Sequence, residues 1–223
     1  MAGIKMLSIY KNKICGQCGY TWDFPIVRED LLTPIQRLYY FEINECQTCY
    51  CIGIDITEVG EFELKIQKEK GYKEIMETRN IPFSFVSRKE AYEYALYAYI
   101  CKKRGDAFSY AKSYVMGAHI EKEQREKYLQ SLSYDHQKDV ELIENSKQTE
   151  VFYLKNAEVA LKDIIVQNLV PDKFVDAELL LAYVYLLLDK DADAMELLNK
   201  VAKQKLSKEE IKTVKELVGI KKC

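Results

Sequence analysis

Two closely spaced cysteine pairs constrain the first quarter of this chain more than any other feature. They are Cys15-Gly-Gln-Cys18 and Cys46-Gln-Thr-Cys49, with 27 residues between them. A two-residue gap lets a tight turn aim both sulfurs inward, and two such turns supply four thiolates to one tetrahedral ion. Gly19 suits the sharp exit of the backbone from the first pair. The expected site is a structural Zn2+, one per chain, held by Cys15, Cys18, Cys46 and Cys49 in a zinc ribbon. Two alternatives remain open. Cys51 could replace Cys49 as the fourth ligand, although Cys49 keeps the two-residue turn. A dithiol redox pair would prefer a helix N-terminus to stabilise its thiolate, whereas Gly19-Tyr20-Thr21-Trp22 reads as extended.

The flanking residues read as strands. Residues 7–14 enter the first pair, and Tyr20, Trp22 and Phe24 alternate after it with the period of a strand. Pro25 is expected to end that strand. Residues 37–45 are read as the strand entering the second pair and 52–56 as the one leaving it. Residues 27–34 form an insertion.

Seven cysteines could signal a secreted disulfide scaffold, but the number is odd and residues 1–10, interrupted by Lys5, do not read as an export signal. No apolar run approaches the roughly 20 residues of a membrane span. The expectation is a cytoplasmic protein with no membrane partner. Thirty-three basic residues against 35 acidic ones provide no basic footprint for nucleic acid. Residues 1–56 repeat that balance, with five basic residues against six acidic.

Beyond Gly60 the pattern becomes helical. Residues 61–80 read as one or two short connecting helices, split by Gly71. Ser87 and Glu90 form a capping box that opens a helix, Arg104-Gly105-Asp106 is a stop and restart, and Asp172 is a helix cap after Pro171. A long helical run extends from residue 134 to about 170, and Ser207 with Glu210 opens the last helix. Two helix pairs share a pattern. In the later one Leu181-Ala182 and Tyr185 are followed by Ala194, Leu198 and Val201. In the earlier one Tyr97-Ala98 is followed by Ala111, Val115 and Ala118. This spacing resembles the tetratricopeptide repeat, whose small positions let two helices cross closely and whose units must stack to bury their faces.

The order of parts, a Cys-x-x-Cys-Gly-Tyr turn, a Tyr-rich approach to a second Cys-x-x-Cys and then repeat-like helices, resembles a bacterial family known only as a domain of unknown function. The resemblance implies a zinc ribbon fused to tetratricopeptide-like helices and carries no activity. Gln17 and Tyr50-Cys51 depart from the family pattern.

The expected fold is therefore α+β and mostly α, with a β zinc ribbon over residues 1–57, a helical connector over 58–86 and an antiparallel helical domain over 87–223. No catalytic constellation is visible. His119 and His136 have no partner at ligand spacing. Glu121, Glu123 and the Asp189/Asp191/Asp193 run read as solvated faces, and Ala194 stands where a calcium loop needs glycine. Seventeen tyrosines point instead to recognition. Tyr92, Tyr94, Tyr99, Tyr110 and Tyr114 are the expected docking residues for a protein or peptide partner. A scaffold is the leading reading. Nucleic-acid binding by the ribbon, and thiol redox or metal handling, are its alternatives.

Overall fold

Alternating aromatics around the first cysteine pair form a hairpin in the computed structural model, which describes residues 9–26, 29–46, 48–54, 61–77, 89–131 and 139–220. Strands β1 (Ile9–Ile14) and β2 (Thr21–Ile26) run antiparallel, with Ile14 opposite Thr21 and Ile9 opposite Ile26. Pro25 does not end β2, for it pairs with Tyr10. A two-stranded hairpin is edge on both sides, and proline is accepted where its nitrogen faces away from the partner strand.

The stretch expected as a strand from residue 37 begins as a helix, α1 (Pro34–Tyr39). Thr33 and Gln36 form a capping box: Thr33 Oγ1 accepts from the Gln36 amide at 3.2 Å, and Gln36 Oε1 accepts from the Thr33 amide at 2.9 Å. Pro34 sits at the first helical position, where its missing N–H costs nothing. Extended backbone resumes at Tyr40, but the ladder around the second cysteine pair is only β3 (Asn44–Glu45) against β4 (Ile52–Gly53).

Among the described residues the connector holds two short helices, α2 (Glu61–Ile66) and α3 (Lys70–Glu77), and six longer ones follow: α4 (Lys89–Arg104), α5 (Ala107–Ser131), α6 (Asp139–Gln167), α7 (Phe174–Leu187), α8 (Asp191–Val201) and α9 (Lys208–Ile220). The capping box expected at Ser87 falls outside the described residues. Gly105, at φ +74°, makes the turn between α4 and α5, and Asp106 accepts from the Ser109 amide at 3.0 Å. Asp172 does not cap: it lies in a 3-10 turn, Pro171–Lys173, and α7 follows without a side-chain cap bond. Asp191 and Asp193 occupy the first turn of α8, where the helix dipole favours carboxylates. Ser207 and Glu210 form the expected reciprocal cap of α9.

Each helix from α4 to α7 packs on the next, and α9 folds back on α7. The repeat positions lie at the crossings: Ala98, Ala111, Val115 and Ala118 in the first pair, and Ala182, Ala194, Leu198 and Val201 in the second, are all buried. Gly117 brings α5 close to α6, since a Cβ there would stand 3.1 Å from the Tyr153 ring. Helix α1 docks on α5, α7 and α9. One continuous core then joins Ile35, Tyr39, Ile43 and Ile52 to Ile66, Tyr72 and the helical body.

The tyrosines build that junction. Tyr92 and Tyr94 are only 4% and 7% exposed, which removes them from the expected docking face. The Tyr94 hydroxyl donates to the Phe41 carbonyl at 2.5 Å, and its ring meets Phe41 edge-on. Tyr99, half-buried, donates to Glu69 at 2.7 Å and packs against Tyr72. Tyr110 and Tyr114 pack edge-on, and Tyr114 continues onto Tyr153. A ring with a hydroxyl handle suits a core that must also satisfy loop carbonyls. Glu121 was expected on a solvated face and is buried at 1% exposure, while Glu123 pairs with Lys127 on the surface.

Candidate metal centre

Both cysteine pairs adopt one turn. The Cys15 amide donates to the Tyr20 carbonyl and the Gly19 amide returns to the Cys15 carbonyl, each at 2.8 Å. In the second turn the Cys46 amide donates to the Cys51 carbonyl at 2.9 Å, and the Tyr50 amide to the Cys46 carbonyl at 2.8 Å. The fifth residue of each turn is left-handed, Gly19 at φ +74° and Tyr50 at φ +57°. Glycine adopts that conformation freely; tyrosine does so at a cost of about 1 kcal/mol.

The turns face each other. The sulfurs of Cys15, Cys18, Cys46 and Cys49 all lie within 4.8 Å of one another, and these cysteines are free thiols. Cys15 and Cys49 stand 3.6 Å apart, Cys18 and Cys46 3.5 Å. A zinc–sulfur bond of about 2.3 Å gives a tetrahedron with edges of about 3.8 Å, so the four sulfurs fit a metal ion of that class. Cys15 and Cys46 are buried, Trp22 packs against the cluster, and Tyr20 stacks on Trp22 at 5.9 Å. Cys18 is exposed and Cys49 half-buried.

Cys51 is also inside, its sulfur 3.3 Å from that of Cys15 and fully buried. Its backbone position matches Tyr20 of the first turn, two residues beyond the second cysteine of the pair. The repeated turn thus gives Cys49 the place that Cys18 holds in the first turn, with Cys51 a fifth thiol pressed against the cluster. Burial opposes ionisation of Cys15, but the Cys18 and Gln17 amides and the Cys51 and Cys49 thiols outweigh it, bringing Cys15 down to about 6. Burial pushes Cys49 up to about 12 and raises Cys51 as well. Without metal the cluster would concentrate its negative charge on Cys15. A bound ion would deprotonate the remaining ligands and release protons to solvent.

The structure also gathers residues that sequence spacing did not connect. His119 of α5 lies under Tyr39 of α1, with ring centroids 4.6 Å apart, and its Nε2 meets the Tyr183 hydroxyl at 2.9 Å. Burial, reinforced by Lys122, lowers His119 to about 4 and keeps it neutral. It serves as packing at the α1 docking site. The Ile35 amide adds a 3.1 Å bond to Glu216 of α9 there, and Arg37 pairs with Glu209. Tyr39 and Tyr183 belong to different helices separated by most of the chain, so no local pattern pairs them; the Thr33–Gln36 cap was the readable sign that α1 exists. His136 lies outside the described residues. No family model, no curated protein and no solved structure matches this chain.

Proposed function

We propose that this chain is a non-enzymatic protein-interaction scaffold. One structural zinc ion on Cys15, Cys18, Cys46 and Cys49 holds the ribbon, and a tetratricopeptide-like helical body presents the docking face. The observation that carries this reading is an apolar seam on α6. Phe152, Val159 and Val166 recur every seven residues and are 57%, 61% and 83% exposed. A seven-residue spacing keeps side chains on one side of a helix, the arrangement by which one helix packs along another. The occupant of this reading is therefore an amphipathic partner helix, and it meets α6 rather than the tyrosines of α4.

The turn geometry favours structural metal over dithiol cycling, because both pairs lie in β-hairpin turns and neither opens a helix. Four thiolates close the coordination sphere, and free thiols fit a reducing, cytoplasmic setting. The charge balance gives the nucleic-acid reading no support.

The test combines metal analysis with affinity capture on the full chain. Wild type is expected to carry one zinc and to retain a defined protein, with the protein lost and the zinc kept in Phe152→Asp/Val159→Asp at unchanged helical circular dichroism. Recovery of only nucleic acid, in a salt-dependent manner, would overturn the reading. So would full retention of the protein by the double variant. A concentration-dependent dimer abolished by the same variant would make the occupant a second copy of this chain.

A further inference from the structure

A cleft of about 790 Å3 lies between the ribbon and the helical body. Its volume is in the range of small-molecule sites. The walls come from parts of the chain far apart in sequence: Leu32, Phe41 and Ile54 are apolar, and Arg37, Asn44 and Lys112 are polar, with acidic Asp30 and Glu42 also present.

Lys112 distinguishes this cleft from the rest of the molecule. Several cations of the body meet carboxylates among the described residues: Arg104 meets Glu63, Arg125 meets Glu150, and Lys162 and Lys190 meet Glu158. Arg37 pairs with Glu209 at 3.2 Å. Lys112 meets ring faces only among the described residues, its ammonium 5.3 Å from the Phe41 ring centre and 6.0 Å from that of Phe108. Burial, with Lys173 nearby, lowers its pKa, while Asp176 and Asp106 oppose that shift from a distance. A partly desolvated cation without a carboxylate is costly unless an anion arrives to meet it.

Asn44 supplies a second incomplete group on the same wall. It is 1% exposed, and its Nδ2 donates to the Ile54 carbonyl at 2.8 Å. Its Oδ1 is buried and accepts no hydrogen bond. Buried acceptors are nearly always satisfied, so this one fits a donor carried by a ligand.

We propose that the cleft binds a small organic carboxylate bearing a hydroxyl or amine donor and an apolar body. The carboxylate meets Lys112, the donor meets Asn44 Oδ1, and the apolar body lies on Leu32, Phe41 and Ile54. The site is separate from the α6 seam and does not rest on the docking proposal.

The experiment is calorimetric titration of the zinc-loaded full chain with 3-phenyllactate, alongside neutral 2-phenylethanol and inorganic phosphate. Saturable binding of 3-phenyllactate is expected, weakened about tenfold or more in Lys112→Gln and kept within a few-fold in Lys112→Arg. Lys127→Gln, which changes an exposed lysine, should bind as wild type. Ile54→Glu, at a position 47% exposed, should abolish binding by replacing an apolar contact with a repelling carboxylate even if Lys112→Gln folds poorly. No saturable binding up to about 10 mM overturns the proposal. Equal affinity for 2-phenylethanol removes the role of Lys112, and equal competing affinity for phosphate shows charge attraction without recognition of a carboxylate; either result overturns it.

Discussion

The two halves of the cysteine cluster share a turn and differ in what anchors them. The first turn sits on the six-residue strands β1 and β2, yet Ile14 and Tyr20 beside it are 54% and 38% exposed. The second sits on two-residue strands, yet Ile43, Asn44, Glu45 and Ile52 are all buried. It continues into α1, whose Ile35 and Tyr39 enter the main core. Regular hydrogen bonding therefore resides in one half and tertiary anchorage in the other. An isolated two-stranded hairpin is marginal in water, so a metal shared between the turns would tie the first half to the second.

The largest expected effect comes from cutting that tie. Structural zinc contributes about 10–16 kcal/mol in small finger peptides. Cys46→Ser, or a strong chelator, should abolish metal binding and erase hydrogen-exchange protection in residues 12–22 first, leaving residues 43–46 and 51–53 protected. Simultaneous loss in both halves would show that they form one cooperative unit and break the comparison. Cys51→Ser should retain one ion per chain.

Acid should act on the other half. His119 falls to about 4 in the fold against an ordinary value of 6.5, so the unfolded chain binds its proton first. Its contribution is complete above pH 6.5 and is lost progressively as pH falls toward 4, a change on the order of 2–3 kcal/mol. The charged ring would stand against Tyr39, Tyr183 and Lys122, with Glu123 opposing that repulsion, and this loosens the docking of α1. Urea titrations across this range should show a steeper loss in wild type than in His119→Phe. Identical slopes would sever the link between α1 docking and His119.

The smallest effect concerns the turns themselves. Gly19→Ala places a Cβ in open space but in a left-handed conformation, and should cost about 1 kcal/mol. Tyr50→Gly relaxes the equivalent strain and should recover up to about 1 kcal/mol, read as a higher melting temperature. Equal and opposite shifts would show that backbone strain alone separates the turns. A loss at Tyr50→Gly would show that its side chain contributes more than the strain removes.

Some local signals suffice where the chemistry is local, although Pro25 and Asp172 do not act as their residue types suggest. The Cys-x-x-Cys spacing, the Gly105-Asp106 break and the Ser207–Glu210 cap each specify a turn or a helix end from a few adjacent residues. The strand expected from residue 37 failed because aromatic residues are compatible with either state, and the Thr33–Pro34–Gln36 cap decided for helix. A tyrosine cluster on one helix pair divides between core and surface in a way spacing does not settle; in the fold Tyr92 and Tyr94 spend their amphipathic character on internal junctions.

By itself the sequence determined the two Cys-x-x-Cys turns, the succession of the long helices and the reciprocal cap of α9, because each depends on contacts between near neighbours along the chain. Only tertiary structure decided that the two cysteine turns meet, that α1 packs into the helical body, that His119 lies beneath Tyr39, that Cys51 joins the thiols and that Lys112 reaches the cleft over the Phe41 ring. Those outcomes depend on which distant surfaces meet, and a pairing between residues dozens of positions apart leaves no periodic trace in one sequence.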